Sequence, residues 1–421
     1  MRDRRSKWDN LVEAFRIDSH AVPMTSAGVL SREPSRISDC IVVGGGVIGL
    51  LTAYELAQEG LRVTVVERGH RIAGAASWAS GGVLAPLYPW RIHPALLPLL
   101  NWSQVRYPQL ALELAACSGV DPEWVQSGLL ILEPALWQEL ASAQDSFFGD
   151  AQLLDHSALK SLEPGVDAGE NGALWFPQVA QIRSPRLLRA LQLSLALKRV
   201  KQLSAQVQTI LSDKGKAAGV ITRDDRLYAP IVVVAAGAWS GSVLGSLGKG
   251  FELRPIRGQM LLIAAKSGRV LHVLVQRDRY LIPRRDGHVL VGSTLENAGF
   301  NNAISTEARE TLTTSAWSMY PRLRDYPIVA QWSGLRPGSP EGIPWIGGHP
   351  ELTGLYLSTG HYRNGISLAP ASARLLADLI FQRPPIVEPS AYDPARASQD
   401  YGQRTPAGSN TKTLSTASHY N

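Results

Sequence analysis

Three glycines near the start of the sequence are spaced at i, i+2 and i+5. Gly44, Gly46 and Gly49 lie between a short apolar run, Cys40 to Val43, and a segment with a helical pattern, Leu50 to Glu59. In a strand–turn–helix unit, such glycines allow a tight turn, a close approach of the backbone to a pyrophosphate, and close packing of the helix on the strand. The free N–H groups at the helix N-terminus then face the anion. The spacing therefore predicts a dinucleotide site, although a glycine-rich turn can also arise from packing alone.

The next apolar run ends in an acidic residue. Arg62 to Glu67 reads RVTVVE, which is typical of a buried strand, and Glu67 follows Gly44 by 23 residues. An acid at about this distance holds the ribose hydroxyls of a dinucleotide and disfavours a 2′-phosphate. A solvated carboxylate at the end of a strand is the alternative interpretation.

An arginine far along the chain lies between two residues that break regular structure. Arg336 follows Gly334 and precedes Pro337 in the segment WSGLRPGS, so we expect its side chain to project from a fixed loop. A planar guanidinium matches a carboxylate in a bidentate way that an ammonium group cannot. Arg336 is thus a candidate clamp for a carboxylate. The alternatives are an exposed arginine and one paired with an internal acid.

Composition limits the class of protein. The 421 residues, 45% of them hydrophobic, are enough for a large core divided over two or three domains. The net charge of +6 is spread along the chain, which argues against nucleic acid as a principal partner. No apolar stretch has the length of a membrane-spanning helix. The two cysteines, Cys40 and Cys117, can form neither a disulfide framework nor a metal cluster, so we expect no metal and a reducing, cytoplasmic location.

The elements that must position these residues alternate between strands and helices, which is typical of an α/β fold with a largely parallel sheet. The apolar run from Leu227 to Gly237 predicts one strand, buried on both faces, that rejoins the sheet begun at Ile41. Pro255 to Ile263 and Arg279 to Gly292 instead predict antiparallel strands, with Asp286-Gly287 at a hairpin turn.

The order of the motifs resembles that of the D-amino-acid oxidase superfamily of flavoproteins. Along the chain these motifs are GGGVIG, VVERG, SGGVL, AAGAWS, RPIRGQM, YLIPRRDGHVLVGST, WSGLRPGSPEGIPWIG and GHYRNGISLAP. The resemblance covers about residues 38 to 383, and within the superfamily the sequence looks most like the glycine oxidases of thiamine biosynthesis. It implies a Rossmann-like FAD-binding domain interleaved with an antiparallel-sheet α+β substrate domain.

This resemblance and the element order divide the chain into five parts. Residues 1–36 are predicted to be a disordered extension, within which Met24 could be the true start. Residues 37–245 are assigned to the FAD-binding domain, with substrate-domain insertions around 91–170, and residues 246–333 to the substrate domain. Residues 334–383 complete the FAD-binding domain, and 384–421, which are poor in large apolar residues, are predicted to be a disordered tail.

Three residues are candidates for binding the substrate. The resemblance assigns Arg336 to the substrate carboxylate and Tyr280 to a hydrogen bond with the same group. Strand alternation places Tyr280 and Ile282 on one face, although Tyr280 could instead be a core aromatic with a satisfied hydroxyl. Arg363 matches a family position near both flavin and substrate, and a structural contact to a phosphate or carbonyl is its alternative role.

The residues predicted to bind the cofactor lie in four short segments and at two isolated positions. They are Gly44, Gly46, Val47, Ile48, Gly49, Glu67, Arg68, Gly81, Gly82, Val83, Val207, Gly237, Gly360, His361, Tyr362, Arg363, Asn364, Gly365, Ile366 and Ser367. Histidine is a common proton acceptor near neutral pH, but the family needs no side-chain base, so we interpret His361 as shaping the loop beneath the isoalloxazine.

The chemistry implied by the resemblance belongs to the flavin. The substrate α-hydrogen passes as hydride from a neutral amine to flavin N5, dioxygen reoxidises the flavin to give hydrogen peroxide, and the imine hydrolyses to a 2-oxo acid and ammonia. For glycine the 2-oxo acid is glyoxylate, and in the family the imine serves thiazole assembly. Ser339 and Glu341 depart mildly from the family's Thr and Asp. No cysteine follows Cys117, so we expect FAD to be bound non-covalently.

Other functions stay open from the sequence. A D-amino-acid dehydrogenase would pass electrons to a quinone, and a flavoprotein scaffold would use FAD only structurally, although Arg336 and Tyr280 argue against a scaffold. A nicotinamide dehydrogenase is disfavoured by Gly81-Gly82 and by the closing GHYRNG loop. Sarcosine and small D-amino acids compete with glycine as substrates, and proteins of this kind often form homo-oligomers.

Overall fold

The computed structural model describes residues 38–69, 75–142 and 151–397, which form two large β-sheets, a small third sheet and nine α-helices. The strands are β1 (Cys40–Val43), β2 (Val63–Glu67), β3 (Leu129–Ile131), β4 (Gln152–Leu154), β5 (Ala173–Phe176), β6 (Lys201–Ser204), β7 (Val207–Asp213), β8 (Lys216–Thr222), β9 (Arg226–Tyr228), β10 (Ile231–Val234), β11 (Arg254–Ala264), β12 (Val273–Gln276), β13 (Arg279–Pro283), β14 (His288–Gly292), β15 (Ile328–Gly338), β16 (Trp345–Gly348) and β17 (Leu355–Thr359). The helices are α1 (Val47–Gln58), α2 (Ala76–Ala79), α3 (Leu97–Ser118), α4 (Trp137–Ser142), α5 (His156–Leu162), α6 (Ser184–Leu197), α7 (Ser240–Leu244), α8 (Thr306–Met319) and α9 (Gly365–Ile380). The predicted disordered extension, residues 1–36, lies outside the described residues.

The first sheet has six strands in the order β16-β17-β10-β1-β2-β6, and all of its strand pairs are parallel except β16 with β17. Its centre is apolar because both faces are covered. Cys40 and Val42 of β1 belong to a core shared with α1, α3, α6 and α9, whereas Ile41 and Val43 belong to one shared with the three-stranded sheet β7-β8-β9. The carboxyl ends of β1, β2 and β10 therefore meet at one edge.

The second sheet has eight strands in the order β15-β11-β14-β13-β12-β3-β5-β4, and all of its pairs are antiparallel except β12 with β3. β13 and β14 form the predicted hairpin, with Gly287 at a φ of 90°. Leu281 packs under α8, while Tyr280 and Ile282 share the opposite face. The two sheets confirm the predicted α/β fold with a second, antiparallel-rich sheet.

The apolar run 227–237 is not one strand. β9 pairs with β8 in the three-stranded sheet, and β10 pairs with β1 and β17 in the parallel sheet. Pro230 lies between them, and a proline cannot donate to a strand ladder, so the pairing changes at this point. The prediction that the run rejoins the sheet of Ile41 is confirmed for β10 alone.

The predicted division between the FAD-binding and substrate domains differs from the structure at three places. Helix α3 lies inside the presumed substrate insertion at 91–170, but it packs against α6 and α9. Its Tyr107, Leu110 and Leu114 are buried in the core on one face of the parallel sheet. Strand β5, at 173–176, extends the substrate sheet beyond residue 170, and β15 crosses the predicted boundary between 333 and 334.

The prediction of a disordered tail from residue 384 is wrong for residues 384–397, which pack against the core. Residues 384–397 are described, and Tyr392 is only 1% exposed and donates its hydroxyl hydrogen to Ala95 O. Ile386 and Val387 pack against the same core, so a few apolar side chains outweigh the polar composition of this stretch. Residues 398–421 lie outside the described part. Within the described ranges, no helix is long and apolar enough to span a bilayer.

Candidate active site

A cavity of about 1070 Å³ lies between the two large sheets. On one side it is lined by the carboxyl ends of β1, β2 and β10, and on the other by β11, β13 and β15. It brings together the three predicted substrate-binding residues and most of the predicted cofactor-binding residues, which lie as far apart in the sequence as Gly44 and Ile366. Gly49, Gly360 and Ser367 do not line it, although each is next in sequence to a residue that does.

The glycine turn after β1 cannot carry larger side chains. Gly44 has a φ of 117°, and a β-carbon there would lie 2.3 Å from Ala235 O. A β-carbon on Gly49 would lie 1.9 Å from Gly44 O, which explains why Gly49 contributes to packing and not to the cavity surface. Gly46 caps α1, and the Val47 N–H at the helix start donates to Ser77 Oγ at 3.0 Å. This backbone cradle fits a pyrophosphate at a helix N-terminus.

Glu67 is held at the end of β2 by the backbone. Its Oε2 accepts a hydrogen bond from Gly45 N at 2.7 Å, and its Oε1 accepts one from Gly69 N at 3.1 Å. The carboxylate is therefore fixed at the cavity edge, which disfavours the interpretation of a freely solvated strand end. It has remaining lone pairs for the ribose hydroxyls of a dinucleotide.

Arg68, the next residue, stacks its guanidinium over the ring of Trp239, 3.4 Å from the ring centroid. Burial lowers the pKa of Arg68, and the neighbouring Glu67 acts in the opposite direction. Arg68 and Trp239 both line the cavity, as do Val207 and Gly237. They form a flat surface at the end of the cavity where Glu67 would hold the adenosine.

Arg336 lies within strand β15, paired with Ile256 of β11, and not on a loop as predicted; it faces the cavity from the substrate sheet. Its Nη2 donates to Ser293 Oγ at 2.8 Å and its Nη1 to Thr294 O at 3.2 Å. Burial lowers the pKa of Arg336; Tyr280 opposes this effect, and the like charge of Arg363 adds to it. Among the described residues, no Asp or Glu forms an ion pair with Arg336. A partly desolvated cation without an acid is suited to an anionic ligand.

Space for this guanidinium depends on a glycine on the neighbouring strand. A β-carbon on Gly258 would lie 2.2 Å from Nη1 of Arg336. Gly258, the glycine of the RGQM motif, thus leaves room for the Arg336 guanidinium, a role that the local sequence does not indicate. Ser293, which orients Arg336, was also missed, because its part in the site depends on a contact with a residue 43 positions away.

Tyr280 lines the cavity and is 8% exposed. Its hydroxyl lies 3.9 Å from Met260 Sδ, and its ring fills the space above Gly292 and beside Gly81. Tyr280 also lies near Arg336, where it opposes the lowering of the arginine's pKa by burial. Tyr280 is thus both a well-packed aromatic and a neighbour of the guanidinium, which leaves its role in binding a prediction.

His361 lies in the closing loop and is 2% exposed. Ser372 Oγ donates to Leu368 O at 2.9 Å, so this hydroxyl accepts from Nε2–H of His361, which lies 3.0 Å away. Burial lowers the pKa of His361 to about 3, so the ring is neutral near pH 7. With Nε2 committed to helix α9, the geometry favours a loop-shaping role. In the same loop, Arg363 faces the cavity.

Residues 39–379 match the family described as FAD dependent oxidoreductase, and the chain belongs to that family. Its fold and cradle agree with this assignment, and its cofactor is FAD. The sequence is 46% identical over 357 residues to the glycine oxidase of Pseudomonas aeruginosa, covering 84% of this chain and 98% of that protein. The crystal structure of glycine oxidase from Geobacillus kaustophilus superposes with a TM-score of 0.80 at 29% identity, covering 85% of this chain and 98% of that one.

A further relative is a fusion. The bifunctional protein ThiO/ThiG of Trichormus variabilis is 32% identical over 352 residues, which cover 82% of this chain and 53% of the fusion protein. The resemblance inferred from the motifs is confirmed by these comparisons.

Proposed function

We propose that the chain is an FAD-dependent glycine oxidase. Glycine, dioxygen and water are converted to glyoxylate, ammonia and hydrogen peroxide. The observation that carries the proposal is the guanidinium of Arg336, which faces the cofactor cavity without an acidic partner among the described residues. Relatives named glycine oxidase, at up to 46% identity, support glycine as the substrate.

The substrate carboxylate would lie against Arg336, with Tyr280 as a second donor. Two fixed donors orient the α-carbon and lower the entropic cost of reaching the reactive geometry. When bound, FAD would supply the hydride acceptor and the route of the electrons to dioxygen. On the substrate side Met260 lines the cavity, and it packs with Ile282 and Trp332 in one apolar cluster, which would limit access of water. No step requires His361 to accept a proton, because the neutral substrate amine carries the electron pair that forms the imine.

Cofactor binding would use the glycine cradle, Glu67, Arg68 and the closing loop. We further propose that FAD is held non-covalently, since Cys40 is buried within β1 and Cys117 lies at the end of α3, away from the residues that line the cavity. Acid precipitation separates the two cases. We expect the yellow colour in the supernatant; colour in the protein pellet contradicts non-covalent binding.

Three broader assignments are also part of this proposal. The fusion relatives support a role in supplying the thiazole pathway of thiamine synthesis. The two free thiols fit a reducing, cytoplasmic location. Val105 and Leu112, exposed on α3, support self-association, which light scattering would measure.

The test is to mix the purified yellow protein anaerobically with excess glycine and to follow the visible absorbance of the flavin. We expect rapid bleaching that is reversed by air with release of peroxide. Glycinamide is the matched control, because it keeps the amine and lacks the carboxylate that Arg336 would bind. Bleaching by sarcosine or D-alanine but not by glycine would change the assigned substrate to that amine. Reoxidation by a quinone but not by air would indicate a dehydrogenase. No bleaching by any amine would indicate a scaffold.

The matching variant is Arg336→Met. Loss of a charge-assisted bidentate contact costs roughly 3 kcal/mol, which is about 100-fold in kcat/KM. FAD content should be unchanged, since Arg336 contacts Ser293 and Thr294 and not the glycine cradle. An unchanged kcat/KM for glycine would remove Arg336 from the proposed role.

A further inference from the structure

Arg284, at the turn between β13 and β14, is a charged residue buried behind the cavity wall. It is 7% exposed. Its Nη2 donates to Gly81 O at 2.6 Å, and its Nη1 donates to Gln181 Oε1 at 2.7 Å. One guanidinium thus connects the substrate-sheet hairpin, the loop after α2 and the segment before α6.

The peptide unit held by Arg284 belongs to the cavity wall. Gly81 and Gly82 both line the cavity, and a β-carbon on Gly81 would lie 2.6 Å from Ile282 Cδ1 and 3.3 Å from Tyr280 Cε2. The carbonyl of Gly81 points to Arg284, whereas the N–H of Gly82 donates to Ser80 Oγ at 3.1 Å. Because the peptide unit is planar, contacts at both ends fix its orientation.

The charge is placed at an electrostatic cost. Burial lowers the pKa of Arg284 to about 9, and the nearby Arg183 adds to this effect. Glu123 and Asp286 compensate: they lie 3.2 and 2.9 Å from Arg183 Nη1, and His288 Nδ1 lies 3.0 Å from Asp286. A neutral side chain would avoid this cost, since buried ion clusters seldom add net stability. The hydrogen bonds that the Arg284 guanidinium donates to Gly81 O and Gln181 Oε1 explain why an arginine is found here in spite of this cost.

We propose that Arg284 is a positioning residue that orients the Gly81–Gly82 peptide and so fixes the wall against which the flavin and the substrate are held. The proposal rests on the proposed function only for its kinetic readout. Lysine retains the charge but cannot donate to Gly81 O and Gln181 Oε1 in the same planar geometry.

The experiment compares Arg284→Lys and Arg284→Met with Arg285→Met. Arg285 is the adjacent residue, with its side chain 54% exposed and paired with Asp121, so it is the matched control. Each variant is examined for the Kd of FAD with the apoprotein, for the visible circular dichroism of bound FAD, and for the anaerobic flavin reduction rate at saturating glycine. The first two readouts do not require glycine oxidation, so they test Arg284 even if the substrate assignment fails.

For both Arg284 variants we expect an altered dichroism band, a Kd of FAD raised about tenfold, and a limiting reduction rate at least tenfold lower with less than a twofold change in KM. Arg285→Met should match the wild type in all three. A purely structural role would lower the melting temperature and leave the spectrum and limiting rate of the folded holoprotein unchanged, and this result would overturn the proposal. Should Arg284→Met fail to fold, Arg284→Lys decides the question by the same criteria.

Discussion

Acidification is expected to destabilise this protein through one buried imidazole. His361 is 2% exposed, and its pKa is lowered to about 3 from an ordinary value of 6.5. In the unfolded chain the ring takes up a proton as the pH falls through 6.5, whereas in the folded chain it stays neutral until about pH 3. The contribution of the neutral His361 to the free energy of unfolding is therefore fully present above pH 6.5 and is lost progressively as the pH falls towards 3.

The magnitude follows from the interval between the two pKa values. At 1.36 kcal/mol per pH unit, about 3.5 units correspond to roughly 5 kcal/mol in all, and roughly 3 kcal/mol of this is lost by about pH 4.5. The imidazole is almost completely buried, so little of this effect is screened by solvent.

The assay is urea unfolding of the wild type and His361→Gln with saturating FAD at pH 7.0 and 4.5. Glutamine can keep a donor near Ser372 Oγ and has no proton to gain. We expect the free energy of unfolding of the wild type to fall by roughly 3 kcal/mol more than that of the variant over this range. Other titrating groups are common to both proteins and cancel in the comparison. Parallel losses in the two proteins would refute a neutral, buried His361.

Two other predictions concern the clamp and the core. Gly258→Ala places a β-carbon 2.2 Å from the Arg336 guanidinium, so we expect KM for glycine to rise about tenfold with unchanged FAD content; steady-state kinetics test this. Gly241→Ala, where a β-carbon meets nothing within 4 Å, is the control, and equal kinetics in both variants would contradict the expectation. Asp378→Asn should lower the free energy of unfolding by about 3 kcal/mol, because this fully buried carboxylate pairs with two arginines. Asp39→Asn, which breaks an exposed pair, should cost less than about 1 kcal/mol in the same urea experiment, and similar costs for the two would count against the burial argument.

Features that depend on local chemistry were predictable from the sequence. The glycine turn, the acid ending β2 and the hairpin at Asp286-Gly287 each follow from the conformations that a few neighbouring residues can adopt. The alternation that places Tyr280 and Ile282 on one face has the same basis.

Features that depend on distant partners were not predictable. Helix α3 has the pattern of any amphipathic helix, and nothing in it indicates that it packs on α9. Tyr392 looked like part of a polar tail because its burial depends on Ala95, which lies 297 residues earlier. Arg284 and Ser293 gave no local signal for the same reason: their partners are brought near only by the fold.

The interleaving of the two large sheets has a consequence for synthesis on the ribosome. The parallel sheet takes strands from β1 at residue 40 to β17 at residue 359, and the segments of the other sheet lie between them. When β1, β2 and β10 have left the exit tunnel, the β17 edge of β10 and the face that α9 covers are still open. The nascent chain thus cannot fold domain by domain, and it carries exposed apolar strands until nearly its whole length has been translated. Its demand for chaperones should accordingly be set by the time taken to translate the chain as far as α9.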